Sequence, residues 1–176
     1  ESRWLGDVDK RQYVDYVHRV TTLPHELNDL VAANDGILLR SLFNATRKSI
    51  TAMISHHYAC TPGIVQVVHT WGQQLGRHYH IHNVMTAGGL SHDRTAWLPI
   101  DQDELETRTV ELAARFKKCF LKHLRFLLGQ GRLQLPRSLP DQASVEKMLA
   151  TLEKKTWVAD IGATPAKYRN SRDRQR

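Results

Sequence analysis

Hydrophobic positions along the chain change their spacing several times, and each change marks an element. Residues 13–20, Tyr13-Val14-Asp15-Tyr16-Val17-His18-Arg19-Val20, are rich in β-branched and aromatic side chains and predict a strand. Pro24, which has no ladder donor, closes it. Over 35–55 the apolar residues Leu38, Leu39, Leu42, Phe43, Ile50, Met53 and Ile54 recur at helical spacing, with Asn34 or Asp35 as N-cap. Thr61-Pro62-Gly63 is a turn signal. Strand character follows over 64–71 and again over 78–85, and the short connection 72–77 predicts an antiparallel hairpin. Gly88-Gly89 interrupts the second strand, and Ser91-His92-Asp93-Arg94 turns the chain towards Trp97-Leu98-Pro99. A long helix over 103–128 carries the stripe Leu105, Leu112, Phe116, Phe120, Leu124 and Leu127, and Gly129 and Gly131 stop it. A shorter helix covers 144–154, and 157–159 supplies one last strand. The expected fold class is α+β, an antiparallel β-sheet with flanking helices. Beyond Gly162 the apolar pattern gives way to Lys167, Arg169, Arg172, Arg174 and Arg176, so 1–160 is expected to be the folded core and 161–176 a basic, disordered tail.

Composition narrows the class. The apolar share of 41% and charged share of 24% are those of a soluble globular protein. No apolar run approaches the roughly 20 residues that span a bilayer, so no membrane partner is expected. The first residues, Glu1-Ser2-Arg3-Trp4, lack an initiator Met and the features of a signal peptide, which suggests a fragment or processed chain. Cys60 and Cys119 are too few for a disulfide framework or a four-cysteine zinc site, and fit reduced thiols in a cytoplasmic protein. The formal charge of +7 favours a polyanionic partner such as nucleic acid.

Ten histidines stand out against that background. His78, His80 and His82 alternate, so on a strand their rings share one face while Tyr79 and Ile81 point to the other. Two imidazoles two residues apart can contact one divalent ion, with Ile81 anchoring the strand behind them. Imidazole suits manganese, zinc, nickel or cobalt, and magnesium less well. A third ligand is needed; His69 on the preceding strand is the first candidate, followed by Gln73, His25 and Glu26. Arg108, Arg115, Lys118, Lys122 and Arg125 form a basic helix face able to follow a phosphate backbone. Trp71, Trp97 and Tyr79 are candidates for stacking on unpaired bases.

These motifs also occur in a recognisable order. Thr22-Leu23-Pro24-His25-Glu26-Leu27-Asn28, Pro62-Gly63, His69-Thr70-Trp71-Gly72-Gln73, His80-Ile81-His82 and Gly88-Gly89-Leu90-Ser91 follow one another as in the rolling-circle insertion-sequence transposases. That two-tyrosine family is part of the HUH superfamily, named for histidine-hydrophobe-histidine, and the chain resembles it from about Tyr13 to Trp97. The resemblance implies an HUH-endonuclease-like core in which His80 and His82 ligate a divalent metal (manganese or magnesium first, zinc as an alternative). His69 is the expected third ligand, with His78 and Gln73 beside it. It also implies single-stranded DNA, or the hairpin ends of a mobile element, as substrate in a bacterial cytoplasm near the nucleoid. A tyrosine would attack a phosphodiester and leave a phosphotyrosine link that can be reversed to join strands.

Two departures are visible. The family's cysteine-rich zinc module is not expected in this chain. The family's two tyrosines, four residues apart, correspond here to Tyr168 and Arg172, so Tyr168 is the one candidate nucleophile and the chain reads as truncated or frameshifted. The alternative expectation is a catalytically dead DNA-binding relic.

Overall fold

A computed structural model describes residues 14–72 and 76–160. The chain opens with β1 (Tyr16–Thr22), a single 3-10 turn at His25–Leu27, helix α1 (Asn28–Ala33) and the long helix α2 (Asp35–Tyr58). Strands β2 (Cys60–Thr61), β3 (Ile64–Trp71), β4 (Arg77–Thr86), β5 (Gly88–Ser91) and β6 (Trp97–Pro99) follow. Helices α3 (Gln102–Thr107), α4 (Thr109–Gly129) and α5 (Gln142–Lys154) then lead into β7 (Val158–Asp160).

The main sheet runs β3-β4-β1-β7 with every neighbouring pair antiparallel, and the expected hairpin is β3 and β4. A smaller sheet of order β2-β5-β6 adjoins it. The α+β class expected from the sequence is therefore the class observed.

The helices cover one face of the main sheet. In α2, Leu38, Leu42, Ala45, Thr46, Ser49, Ile50, Met53 and Ile54 are all buried, a stripe at helical period. Its first half packs with Phe116, Phe120 and Leu124 of α4 and with Tyr79 and Ile81 of β4. Its second half packs with Leu112 and Ala113 of α4 and with Val17 and Met85 of the sheet. Buried polar side chains on the same face make hydrogen bonds between elements. Thr21 and Thr46 share a hydrogen bond of 3.0 Å between β1 and α2. Arg19, 1% exposed, donates to the carbonyl of Leu105 and to the hydroxyl of Thr109.

The opposite face carries no covering element among the described residues. Val65, Val67 and Trp71 of β3 are 64%, 52% and 60% exposed, and Val84 and Tyr16 are also open. That asymmetry positions the site, because the odd-numbered residues of the β4 centre go to the core and the even-numbered histidines face outwards.

Several boundaries differ from the sequence expectation. The helix expected over 103–128 is two helices, broken at Arg108, where φ −90° and ψ 5° leave the helical region. Helix α1 was not expected, nor was the second sheet. Gly88-Gly89 does end the β4 run, but both glycines then enter β5, where they allow close packing. A Cβ on Gly89 would lie 2.5 Å from the Thr61 carbonyl oxygen, and one on Gly88 would lie 2.7 Å from the Leu98 carbonyl oxygen. The tail 161–176 lies outside the described residues.

Candidate functional site

Register brings the histidines together. His69 pairs directly with His80 across β3 and β4, and Val67 pairs with His82. On the other side, Thr22 and Val20 of β1 oppose His80 and His82. Cross-strand neighbours on one face lie about 4.5–5.5 Å apart, so this register alone puts three imidazoles in one cluster. The ring centroids are separated by 4.3 Å for His69 and His82, 5.0 Å for His80 and His82, and 5.1 Å for His69 and His80. One ring nitrogen from each lies within 4.8 Å of the others, forming a group fit to hold a metal ion.

Beyond His69 the pairing shifts, so that Trp71 opposes Arg77 rather than His78. The extra residue is a bulge in β4, the kind of irregularity that redirects side chains at a sheet rim. His78 sits with its ring 4.9 Å from that of His80 and joins His69, His80, His82, Trp71 and Arg77 around an open cleft of about 920 Å³.

Hydrogen bonding and burial set the state of the rings. His80 Nδ1 lies 3.1 Å from the carbonyl oxygen of His78. A carbonyl only accepts, so Nδ1 carries the proton and the lone pair of Nε2 is free. Burial pushes the His80 pKa below its ordinary value; the hydrogen bond to the His78 carbonyl opposes this, while the nearby His78 and His69 rings add to the lowering through their charge. Burial lowers the His82 pKa in the same way, helped by His69, His18 and His80. Neutral rings are the form that binds metals.

A further imidazole reaches the cluster from β1. His18 Nε2 lies 2.8 Å from His82 Nδ1. Sequence reading missed it, although alternation on the first strand puts Tyr16, His18, Val20 and Thr22 on a common face. Only the pairing of β1 with β4, a contact between residues more than sixty positions apart, reveals the partner.

Other expected site residues are placed elsewhere. His25 stands exposed on the 3-10 turn, and Glu26 pairs with Lys155 of the segment after α5. Tyr79, proposed for base stacking, is 6% exposed and lies in the helix-covered core, so it cannot meet a base there. Trp71 is open beside the cleft, and Trp97 belongs to the smaller sheet. Gln73 and Tyr168 lie outside the described residues. Of the basic residues, Arg115, Lys118, Lys122 and Arg125 are on α4 and Arg108 is at the junction of α3 and α4, all on helices across the sheet from the histidines, so the structure does not bring them to the cluster. Three of them are engaged locally: Arg108 with Glu104, Arg115 with Glu111, and Arg125 with Glu146 and Glu153. Lys118 and Lys122 are exposed on the same helix.

Known proteins share this chain's pattern. Residues 63–174 match the model of a family described as "Putative transposase". "Putative transposase y4qJ" of Sinorhizobium fredii is 32% identical over 163 residues, covering 89% of this chain and 41% of that protein. Among solved structures, the conjugative relaxase TrwC in complex with mutant oriT DNA superposes with a TM-score of 0.50 at 18% identity, covering 61% of this chain and 43% of the relaxase. The chain thus spans about two fifths of the length of either relative. At that identity the likeness to the relaxase is one of fold. No helix among the described residues is long and apolar enough to cross a membrane.

Proposed function

The chain belongs to the transposase family whose model it matches, and on that premise we propose that its open sheet face binds a divalent ion and single-stranded DNA for strand nicking and joining. The observation that carries this reading is the group His69, His80 and His82 on an uncovered sheet face.

The donor set fits a divalent ion. Three imidazoles sharing one ion at about 2.1 Å each would have nitrogens roughly 3.4 Å apart in a tetrahedral site. Here one ring nitrogen from each histidine lies within 4.8 Å of the others, close enough for the three to share an ion. A triad of neutral nitrogens leaves further coordination positions open and favours manganese, cobalt, nickel or zinc over magnesium. A bound ion there supplies Lewis-acid polarisation of a phosphodiester.

The chain's own residues do the rest. His69, His80 and His82 fix the scissile phosphate relative to the sheet. Trp71, exposed at the cleft, offers a face on which an unpaired base can stack. The exposed valines beside it exclude water from one side of the strand. In the proposed reaction a tyrosine oxygen bonds to phosphorus while the bond to the 3′ oxygen breaks. The phenol gives up its proton and the departing oxygen takes one, leaving a phosphotyrosine and a free 3′-hydroxyl. Running the step backwards rejoins strands without an added energy source. Tyr168 is the candidate nucleophile from the sequence.

The second reading is DNA binding without cleavage, favoured by Arg172 standing where the second tyrosine of the pair is expected. Incubating the chain with end-labelled hairpin single-stranded DNA and manganese separates the two. A covalent protein–DNA adduct that disappears in Tyr168→Phe and His80→Ala supports nicking. Retarded DNA with no adduct supports the relic, and no binding to single-stranded DNA overturns both.

A further inference from the structure

We propose that His18 is a positioning residue for the metal centre: it accepts the Nδ1 proton of His82 and thereby presents the Nε2 lone pair of His82 to the ion. The inference rests on the metal reading above.

His18 and His82 are diagonal neighbours, since His18 pairs with Val84 and His82 with Val20. Their ring planes differ by only 10°, with centroids 5.0 Å apart and an Nε2–Nδ1 separation of 2.8 Å. Nearly parallel rings at that spacing, joined by so short a contact between ring nitrogens, meet edge to edge. The contact is therefore a directed hydrogen bond. It occupies Nδ1 of His82, so Nε2 is the nitrogen left for a metal.

Direction decides whether that nitrogen is usable. A proton given by His18 to Nδ1 would force the other proton of neutral His82 onto Nε2 and block it. A proton given by His82 to His18 leaves Nε2 bare. His80 already has the productive arrangement, because its Nδ1 faces the His78 carbonyl. Only with His82 as donor do both rings offer Nε2 to one ion. Metal-bound histidines nearly always donate their second nitrogen to such an acceptor, and losing it costs about 10–100-fold in affinity. Here an imidazole takes the role more often held by a carboxylate or carbonyl. His18 is half-buried, so its own Nδ1 proton can reach water.

The test compares wild type with His18→Phe, which keeps the ring shape without an acceptor, and His18→Gln, whose amide oxygen can replace Nε2. Cobalt(II) and manganese(II) affinity is measured by calorimetry. Long-range proton–nitrogen spectra of the metal-free chain report the His82 tautomer, and thermal unfolding checks the fold. Expected are a loss of about 10–100-fold in His18→Phe, recovery to within about threefold in His18→Gln, and an Nδ1-protonated His82 in the wild type that reverts in His18→Phe. Equal affinity in wild type and His18→Phe overturns the proposal. So does a His18→Gln variant as weak as His18→Phe with an altered cobalt spectrum, which would make His18 a ligand. So, too, does a wild-type His82 protonated on Nε2. A wild type that binds no ion, or that His80→Ala leaves unchanged, instead defeats the metal reading itself.

Discussion

Ile81 shows how one residue serves both fold and site. It is fully buried between α2 and α4, while the histidines on either side of it face outwards. Truncating such a side chain removes transfer energy and leaves a cavity, at about 2–5 kcal/mol for Ile→Ala and about 0.5–1.5 kcal/mol for Ile→Val. Urea unfolding of Ile81→Ala and Ile81→Val should reproduce that order, with metal affinity preserved in the valine variant. An alanine variant as stable as wild type would mean that the strand is not anchored through this residue. His80 and His82 were legible in the sequence because alternation is a local property of a strand. His18 was not, since its role depends on which strand lies beside β4. Tyr79 was misjudged for a related reason: exposed aromatic and core aromatic look alike until the covered face is known.

At the level of elements, the strands β3 and β4 and the helices α2 and α5 followed their hydrophobic period closely. The failures have physical causes. Leu105 and Leu112 are two turns apart and in phase, so the polar pair Arg108-Thr109 between them reads as one skipped turn of a continuous helix and not as the break between α3 and α4. The second sheet is made of strands of two to four residues, too short for alternation to register. Its glycines are nonetheless indispensable. Gly89→Ala drives a Cβ to 2.5 Å from the Thr61 carbonyl oxygen, a backbone group that cannot swing away. Its thermal midpoint should fall by several degrees, whereas Gly36→Ala, with open space around it, should not fall. Equal midpoints would show that β2 and β5 are not packed as described.

Element ends also predict an acid response. The Lys155 ammonium holds the Glu26 carboxyl below its ordinary value, Arg125 does so for Glu153, and the Ser144 hydroxyl and amide do so for Asp141, the cap of α5. A carboxylate with a depressed folded-state pKa adds stability above its unfolded value and loses it as the pH falls through the folded one. Between about pH 5 and about pH 3 the urea midpoint should therefore drop. A midpoint that rises over that window contradicts these ties.

For the whole molecule, the sheet divides two surfaces. One carries histidines, valines and Trp71; the other carries helices, with Arg108, Arg115 and Arg125 bound to glutamates. Net charge and a basic helix suggested DNA contact through α4, a reading the sequence invites because it shows cations and not their partners. The proposed function puts the nucleic acid on the histidine face instead. Base stacking contributes about 1–3 kcal/mol per base, so Trp71→Ala should weaken single-stranded DNA binding by about 5–150-fold. The double change Lys118→Ala with Lys122→Ala should alter it far less, as read by fluorescence anisotropy. The reverse ranking would put the nucleic acid on the helical side.

The most direct test counts ions. Equilibrium dialysis against manganese or cobalt should find one ion per wild-type chain, with binding lost in His80→Ala, His82→Ala and His69→Ala while each variant keeps its fold by circular dichroism. Unchanged stoichiometry and affinity in a folded chain lacking both His80 and His82 would contradict the account at its centre.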